Sequence, residues 1–266
     1  MKLNPKAEVP VLKDGVKIIP DSTRIIDYLE DNFSNGNTPR LTPERGTESA
    51  QKVKEMRELL DSIPIELISN GCIINQDFTS DMKLSFGDRK AWISRLPESK
   101  ELLDKYANEY PELRDQYLAK KRENQTKLEQ AQNVYQVKKA LDDLESLLNK
   151  IEDELASHKN ENSDYWLCTE KFTIADISLA VLLNRLLLLG LWKRYFGEDK
   201  RPNVATYFKK VQQKDCYKKT FNHHGCIFGS ISCVGIHGKC FATVVSIAGV
   251  LSIAAIAVIL YRRNKF

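Results

Sequence analysis

Apolar residues change their period several times along the chain, and each change marks an element. Val9, Val11 and Leu12 stand before Asp14-Gly15, and Val16, Ile18 and Ile19 stand after it. Asp-Gly between two apolar runs predicts a β-hairpin. Asp21 or Ser22 then caps a helix that carries Ile25, Ile26 and Leu29. The stretch SNGNTPRLTPERG, residues 34–46, reads as a linker. Val53, Met56, Leu60, Ile63 and Leu67 recur in steps of three and four and predict a helix, kinked by Pro64. Residues 71–98 read as irregular. Residues 99–131 read as two charged helices with solvated faces, the second starting at Pro111.

Val137, Leu141, Leu144, Leu148, Ile151 and Leu155 alternate in steps of four and three over nearly three heptads. Such a stripe serves either a core or a dimer seam; the shortness of the run favours the core. Thr173 opens FTIADISLAVLLNRLLLLG, a helix apolar nearly all round and so expected at the centre of the fold. Thr173-x-x-Asp176 resembles a capping box with Asp in place of Glu, which makes Asp176 a structural carboxylate rather than a catalytic one. A last helix before the C-terminal region begins at Pro202, with Val204, Tyr207, Phe208 and Val211 inward.

Phe241 to Tyr261 is a run of 21 residues without a charge. As a helix it would extend about 31 Å, close to the roughly 30 Å hydrocarbon core of a bilayer. Tyr261 falls where aromatic side chains favour the interface, and Arg262, Arg263 and Lys265 follow it. A buried core helix is the alternative, disfavoured because core helices of this length are rarely uncharged on every face. With five residues after it, the run predicts a tail anchor whose lipid contact leaves the body facing the cytosol. The short basic tail favours the mitochondrial outer membrane, with peroxisomes sharing the pattern and the endoplasmic reticulum as runner-up.

Charge excludes one class of partner. Of 40 basic residues, Lys239, Arg262, Arg263 and Lys265 lie in the last 28 positions, and the 36 others balance 36 acids. A nucleic-acid-binding surface therefore has little support. The six cysteines form no CxxC pair and read as free thiols. His223, His224, Cys226, Cys233, His237 and Cys240 cluster at a spacing that fits no usual zinc site, so no metal is expected. Cys240 is a candidate for acylation, and residues 223–240 are either a second interfacial contact or a linker.

Two motifs carry a resemblance. N-P-x-x-x-V-P-V-L…D-S…I-I-x-Y-L-E, residues 4–30, resembles the second half of a thioredoxin-like glutathione-transferase N-terminal domain. W-L-C-T-E-K-F-T-I-A-D-I-S-L-A, residues 166–180, resembles the capping segment of the buried helix in the helical C-terminal domain of the same superfamily. RELLDSIP, NGCII and YWLCTEKFTIAD narrow the resemblance to the ganglioside-induced differentiation-associated proteins.

The resemblance implies a mainly α fold: a glutathione-transferase-like helical domain after a partial thioredoxin-like α/β remnant, with one C-terminal transmembrane helix. The expected divisions are a remnant over 1–33, a linker over 34–48 and a helical domain over 49–222 with a long insertion at about 71–135. A juxtamembrane segment over 223–240, the anchor over 241–261 and a basic tail over 262–266 follow. Val9-Pro10 matches the pair that presents its backbone to the glutathione cysteine across a cis bond. Asp21-Ser22 matches the pair that grips the γ-glutamyl end. These contacts are either real or vestigial, and no cofactor is required. The chain starts at what resembles the end of the second thioredoxin helix, so the Tyr, Ser or Cys that activates the glutathione thiol is expected to be missing and catalysis is disfavoured. The remaining two-stranded sheet would have an open edge for a partner or membrane to cover. By resemblance, the expected function is a non-catalytic role in mitochondrial fission and network shape, with protein partners or a homodimer. The alternatives are a membrane-tethered glutathione transferase and a glutathione-binding redox sensor using Cys72 or Cys168.

Overall fold

The computed structural model describes residues 3–35, 40–158, 165–197 and 200–221. Gly15 and Val16 close a hairpin in which β1 (Val11–Asp14) runs antiparallel to β2 (Lys17–Pro20). The register is Val11↔Pro20, Leu12↔Ile19, Lys13↔Ile18 and Asp14↔Lys17. Gly15 takes φ 56, a left-handed conformation that tight hairpin turns demand. Leu12 and Ile19, opposite each other, pack on the core, while Ile18 is exposed. The helix α1 (Ser22–Phe33) follows directly and buries Ile25, Ile26 and Leu29.

Thr47 caps α2 (Glu48–Asp61) by accepting the Ala50 N–H at 3.1 Å. The kinked helix expected through Pro64 is two helices. Pro64 is the N-cap of α3 (Ile65–Ile74), and α2 stops at Asp61, because proline can open a helix but has no N–H to continue one. Residues 71–98, expected to be irregular, hold the end of α3, a 3₁₀ turn at Gln76–Phe78 and the start of α4 (Phe86–Glu109). Ser85 caps α4 through the Asp88 N–H and donates to the Asp88 carboxylate. Arg89 then donates to the Ile73 and Ile74 carbonyls at 2.6 and 3.3 Å, satisfying acceptors that the end of α3 leaves open.

After a 3₁₀ turn at Pro111–Leu113, α5 (Arg114–Gln132) packs along α4 and also meets α3. It has almost no apolar stripe. Its contacts are ring packing of Tyr117 on Tyr106 of α4, with centroids 5.6 Å apart, and ion pairs: Lys121 to Asp104 of α4 at 2.5 Å, and Lys127 to Glu66 of α3 at 3.0 Å.

The heptad-like stripe lies on α6 (Val134–Ser157). Val137, Leu141, Leu144, Leu148 and Ile151 are buried inside this chain, each contributing about 1.5–3 kcal/mol, so nothing of that face remains for a dimer seam. Gly71 sets the approach of α3 to α6: a Cβ there would lie 2.4 Å from Val137 Cγ2. The central helix is α7 (Ile174–Leu188), which meets α2 and is buried at nearly every position. A short α8 (Trp192–Tyr195) leads to α9 (Pro202–Gln212), whose first N–H groups at Asn203 and Val204 are accepted by the Glu152 carboxylate of α6. The helix α10 (Asp215–Phe221) was not predicted. It is only seven residues long, with Tyr217 and Phe221 as its apolar contacts.

One part of the expected architecture is corrected. Among the described residues no helix is long and apolar enough to cross a membrane. The longest are charged along their length, and the two most apolar, α3 and α7, have 10 and 15 residues, about 15 and 22 Å. Over the described residues the fold is therefore mainly helical with a small N-terminal β remnant, and no transmembrane helix is among its elements. Phe241, Tyr261, Arg262, Arg263 and Lys265, like the His/Cys cluster over 223–240, lie outside the described residues. The mitochondrial and peroxisomal localisation and the cytosol-facing body rested on that anchor, and the role in fission on a resemblance that included it; no membrane-spanning helix among the described residues supports them.

Candidate functional site

The hairpin carries Val9-Pro10 and Asp21-Ser22 at one end, because its ladder stops at the Val11↔Pro20 pair just inside both. The Val9–Pro10 peptide bond is cis. Before it, buried Asn4 ties the loop together, donating to the Glu8 carbonyl at 2.8 Å and accepting the Lys6 N–H at 3.1 Å. Among the described residues only Ala7 (φ 52) and Asp21 (φ 77) are non-glycine residues with positive φ. Both flank this end of the hairpin, and such strain of about 1–3 kcal/mol gathers at functional sites.

Asp21 is the N-cap of α1. Its Oδ1 accepts from Thr23 N at 2.9 Å and Arg24 N at 3.2 Å, and the residue is exposed. Ser22 differs in a way the sequence did not reveal. It is 2% exposed, and its hydroxyl has no hydrogen-bond partner among the described residues. A buried hydroxyl without a partner costs about 1–3 kcal/mol, so the position calls for an explanation. Helical N–H groups at the start of α1 favour negative charge at the same place.

The body holds α1 in position. Arg57 of α2, itself buried, donates to Asp27 at 3.1 Å and to the Thr23 carbonyl at 3.5 Å. Glu30 is buried too and accepts from the Leu41 and Thr42 N–H groups. Between α1, α2 and residues 40–47 lies a groove of about 520 Å³ with charges of both signs. Asp61 lines it; burial raises its pKa, with Arg57 pulling it back and Asp21 and Glu58 raising it further. A second cleft, of about 400 Å³, lies between Pro5–Glu8 and α5. Val9, Pro10, Asp21 and Ser22 line neither.

Thr173 and Asp176 sit elsewhere, at the start of α7. The Asp176 carboxylate accepts from four donors: Leu167 N at 2.9 Å, Tyr207 Oη at 2.8 Å, Thr173 N at 2.7 Å and Thr173 Oγ1 at 2.8 Å. Burial pushes its carboxyl up against the pull of those donors. All four donors come from within the protein, so the carboxylate ties the start of α7 to residue 167 and to α9.

The cysteines bear on the expected redox sensor, which is corrected here. Cys72 and Cys168 are buried, and burial pushes both thiols up to about 12. At neutral pH the thiolate fraction of such a group is on the order of 1 in 10⁵. Iodoacetamide labelling of the native protein, mapped by peptide mass spectrometry, is therefore expected to leave both unmodified over hours at pH 7.5. Rapid labelling of either would contradict their burial.

The glutathione S-transferase N-terminal domain family matches residues 1–39, and the glutathione S-transferase C-terminal domain family matches residues 92–210. The mouse protein named ganglioside-induced differentiation-associated protein 1-like 1 is 34% identical over 226 residues, covering 82% of this chain and 60% of its own length. The human protein of that name is also 34% identical, with 82% and 61% covered. Glutathione S-transferase TCHQD of Arabidopsis thaliana is 27% identical, with 84% of this chain and 74% of its own length covered. The chain thus spans about three-fifths of the length of the two mammalian relatives.

Proposed function

The chain belongs to the glutathione S-transferase superfamily, among the ganglioside-induced differentiation-associated proteins, and from that premise we propose that it binds glutathione at the open end of its hairpin. The observation that carries this reading is the buried, unpartnered hydroxyl of Ser22 at the start of α1. In the bound state the α-carboxylate of the γ-glutamyl group takes the Ser22 hydroxyl and the Ser22 N–H, the helix-start donor that Asp21 leaves unused. The exposed Asp21 carboxylate faces the α-ammonium, and the cysteine of the peptide lies along residue 9. Val9, Pro10, Asp21 and Ser22 are all assigned to the site on this reading, and the strain at Asp21 and Ala7 accords with it.

Calorimetric titration of the full chain with glutathione tests it. Saturable binding is expected, and cysteinylglycine, which lacks the γ-glutamyl end, is expected not to compete. Asp21→Asn is the informative variant, because asparagine caps a helix as well as aspartate but carries no charge. It is expected to weaken binding about tenfold, a loss of roughly 1.4 kcal/mol, while the thermal midpoint stays unchanged. Absence of binding by the unmodified chain at millimolar glutathione would overturn the reading.

A further inference from the structure

The cleft between Pro5–Glu8 and α5 is lined by Pro5, Lys6, Glu8, Gln116, Ala119, Lys120 and Glu123. Lys120 is its unusual member. A lysine is seldom buried, yet Lys120 is 7% exposed. Its Nζ donates to Glu8 Oε1 at 3.4 Å and to Glu123 Oε2 at 3.1 Å. An ammonium has three N–H donors, and the third finds no acceptor among the described residues. Two more donors line the cleft, the Gln116 carboxamide beside Lys120 on α5 and the Lys6 ammonium on the facing loop, and both likewise have no partner among the described residues.

The acceptors of the cleft are already engaged. Glu8 serves Lys120, and Glu123 serves both Lys120 and Lys127, the latter at 2.8 Å. What the wall has left to offer is N–H donors around a buried positive charge. A cation would find both carboxylates occupied. An apolar group would find only Pro5 and Ala119. A carboxylate, with two oxygens and four lone-pair sites, fits the surplus.

Position adds to chemistry. Glu8 immediately precedes the cis Val9–Pro10 bond, so the cleft adjoins the end of the hairpin where the glutathione cysteine lies on the reading above, on which this step rests. We propose that the cleft is a subsite for a carboxylate carried on the sulfur of the bound glutathione, with Lys120 as its buried anchor and Lys6 and Gln116 at its rim. The preferred ligands are then glutathione conjugates with an acidic S-substituent, not conjugates with an apolar one.

Titration of the full chain with S-(carboxymethyl)glutathione and with S-methylglutathione separates the possibilities. The acidic conjugate is expected to bind about tenfold more tightly, and Lys120→Met is expected to abolish that preference while both conjugates still bind. Should Lys120→Met fail to fold, the exposed pair Lys6→Gln with Gln116→Leu carries the test and is expected to reduce the preference at least threefold. Equal binding of the two conjugates by the unmodified chain overturns the carboxylate subsite and leaves the glutathione reading intact. So does a preference that persists in folded Lys120→Met, or one unmoved in the double variant where that has to serve. Binding of neither conjugate overturns both.

Discussion

Asp176→Ala is expected to destabilise the protein by about 3–5 kcal/mol, enough to leave a marginal domain largely unfolded at 37 °C. The side chain is fully buried and accepts four hydrogen bonds. Removing it strands the Leu167 and Thr173 N–H groups and the Tyr207 hydroxyl without acceptors, at about 1–3 kcal/mol each before any relaxation. It also unfastens three things at once: the first turn of α7, the 165–172 segment and α9 through Tyr207. Asp176→Asn should fall short of wild type as well. Its single oxygen can serve one pair of donors, and its NH₂ must face an N–H that cannot turn round. Thr173→Ala, which removes one hydroxyl, is expected to cost about 1 kcal/mol. Urea unfolding followed by circular dichroism measures all three, and an Asp176→Ala midpoint close to wild type would show that the carboxylate is not the organising group described here.

The second large effect is expected at Gly190. The end of α7 carries a Schellman motif: Leu191 N–H reaches Leu186 O at 2.9 Å and Gly190 N–H reaches Leu187 O at 3.1 Å. Gly190 has φ +74, and an added Cβ would stand 2.3 Å from Met82 N and 2.6 Å from the Asp81 carbonyl carbon. Those are backbone atoms, fixed in turn by Lys83 N–H donating to Leu188 O at 2.9 Å and by Lys193 bound to Asp81. Gly190→Ala thus adds a steric term to the left-handed strain, and about 3 kcal/mol or more is expected. Gly46 is the control. It has φ +86 but nothing within 4 Å of its would-be Cβ, so Gly46→Ala should show the strain alone, about 1 kcal/mol. Equal losses at the two positions would mean that the contact with residues 81–82 does not constrain α7.

The patterns that could be read in advance were those whose cause lies within a few residues. Asp14-Gly15 dictates the hairpin because a tight turn needs a left-handed residue there. The α6 stripe declares itself through spacing, and Thr173-x-x-Asp176 through capping chemistry. The start of α4 was missed for the complementary reason. It has no clear apolar period, and what secures it is a guanidinium on the carbonyls of α3 and the Trp92 indole N–H on Asn70. The membrane helix was read from an uncharged run, its flanking residues and the resemblance, and the described helices contain none of that kind.

For the candidate site, the motif residues were legible, but the feature that gives them chemical meaning was not. Nothing near Ser22 in the sequence says that its hydroxyl is buried and unanswered. Lys120 and Glu8 stand 112 positions apart, in a stretch that reads as a solvated charged face. By itself the amino-acid order determined the turn, the caps, the central apolar helix and the kinship with glutathione transferases, because propensity and local hydrogen bonding act over a few residues. Only the tertiary structure decided that Pro64 divides two helices, that α5 pairs its charges with α3 and α4, and that a buried ammonium borders the loop before Val9. Burial is a property of what the rest of the chain brings alongside, and it is burial that turns an ordinary lysine or serine into a group with an unmet bond.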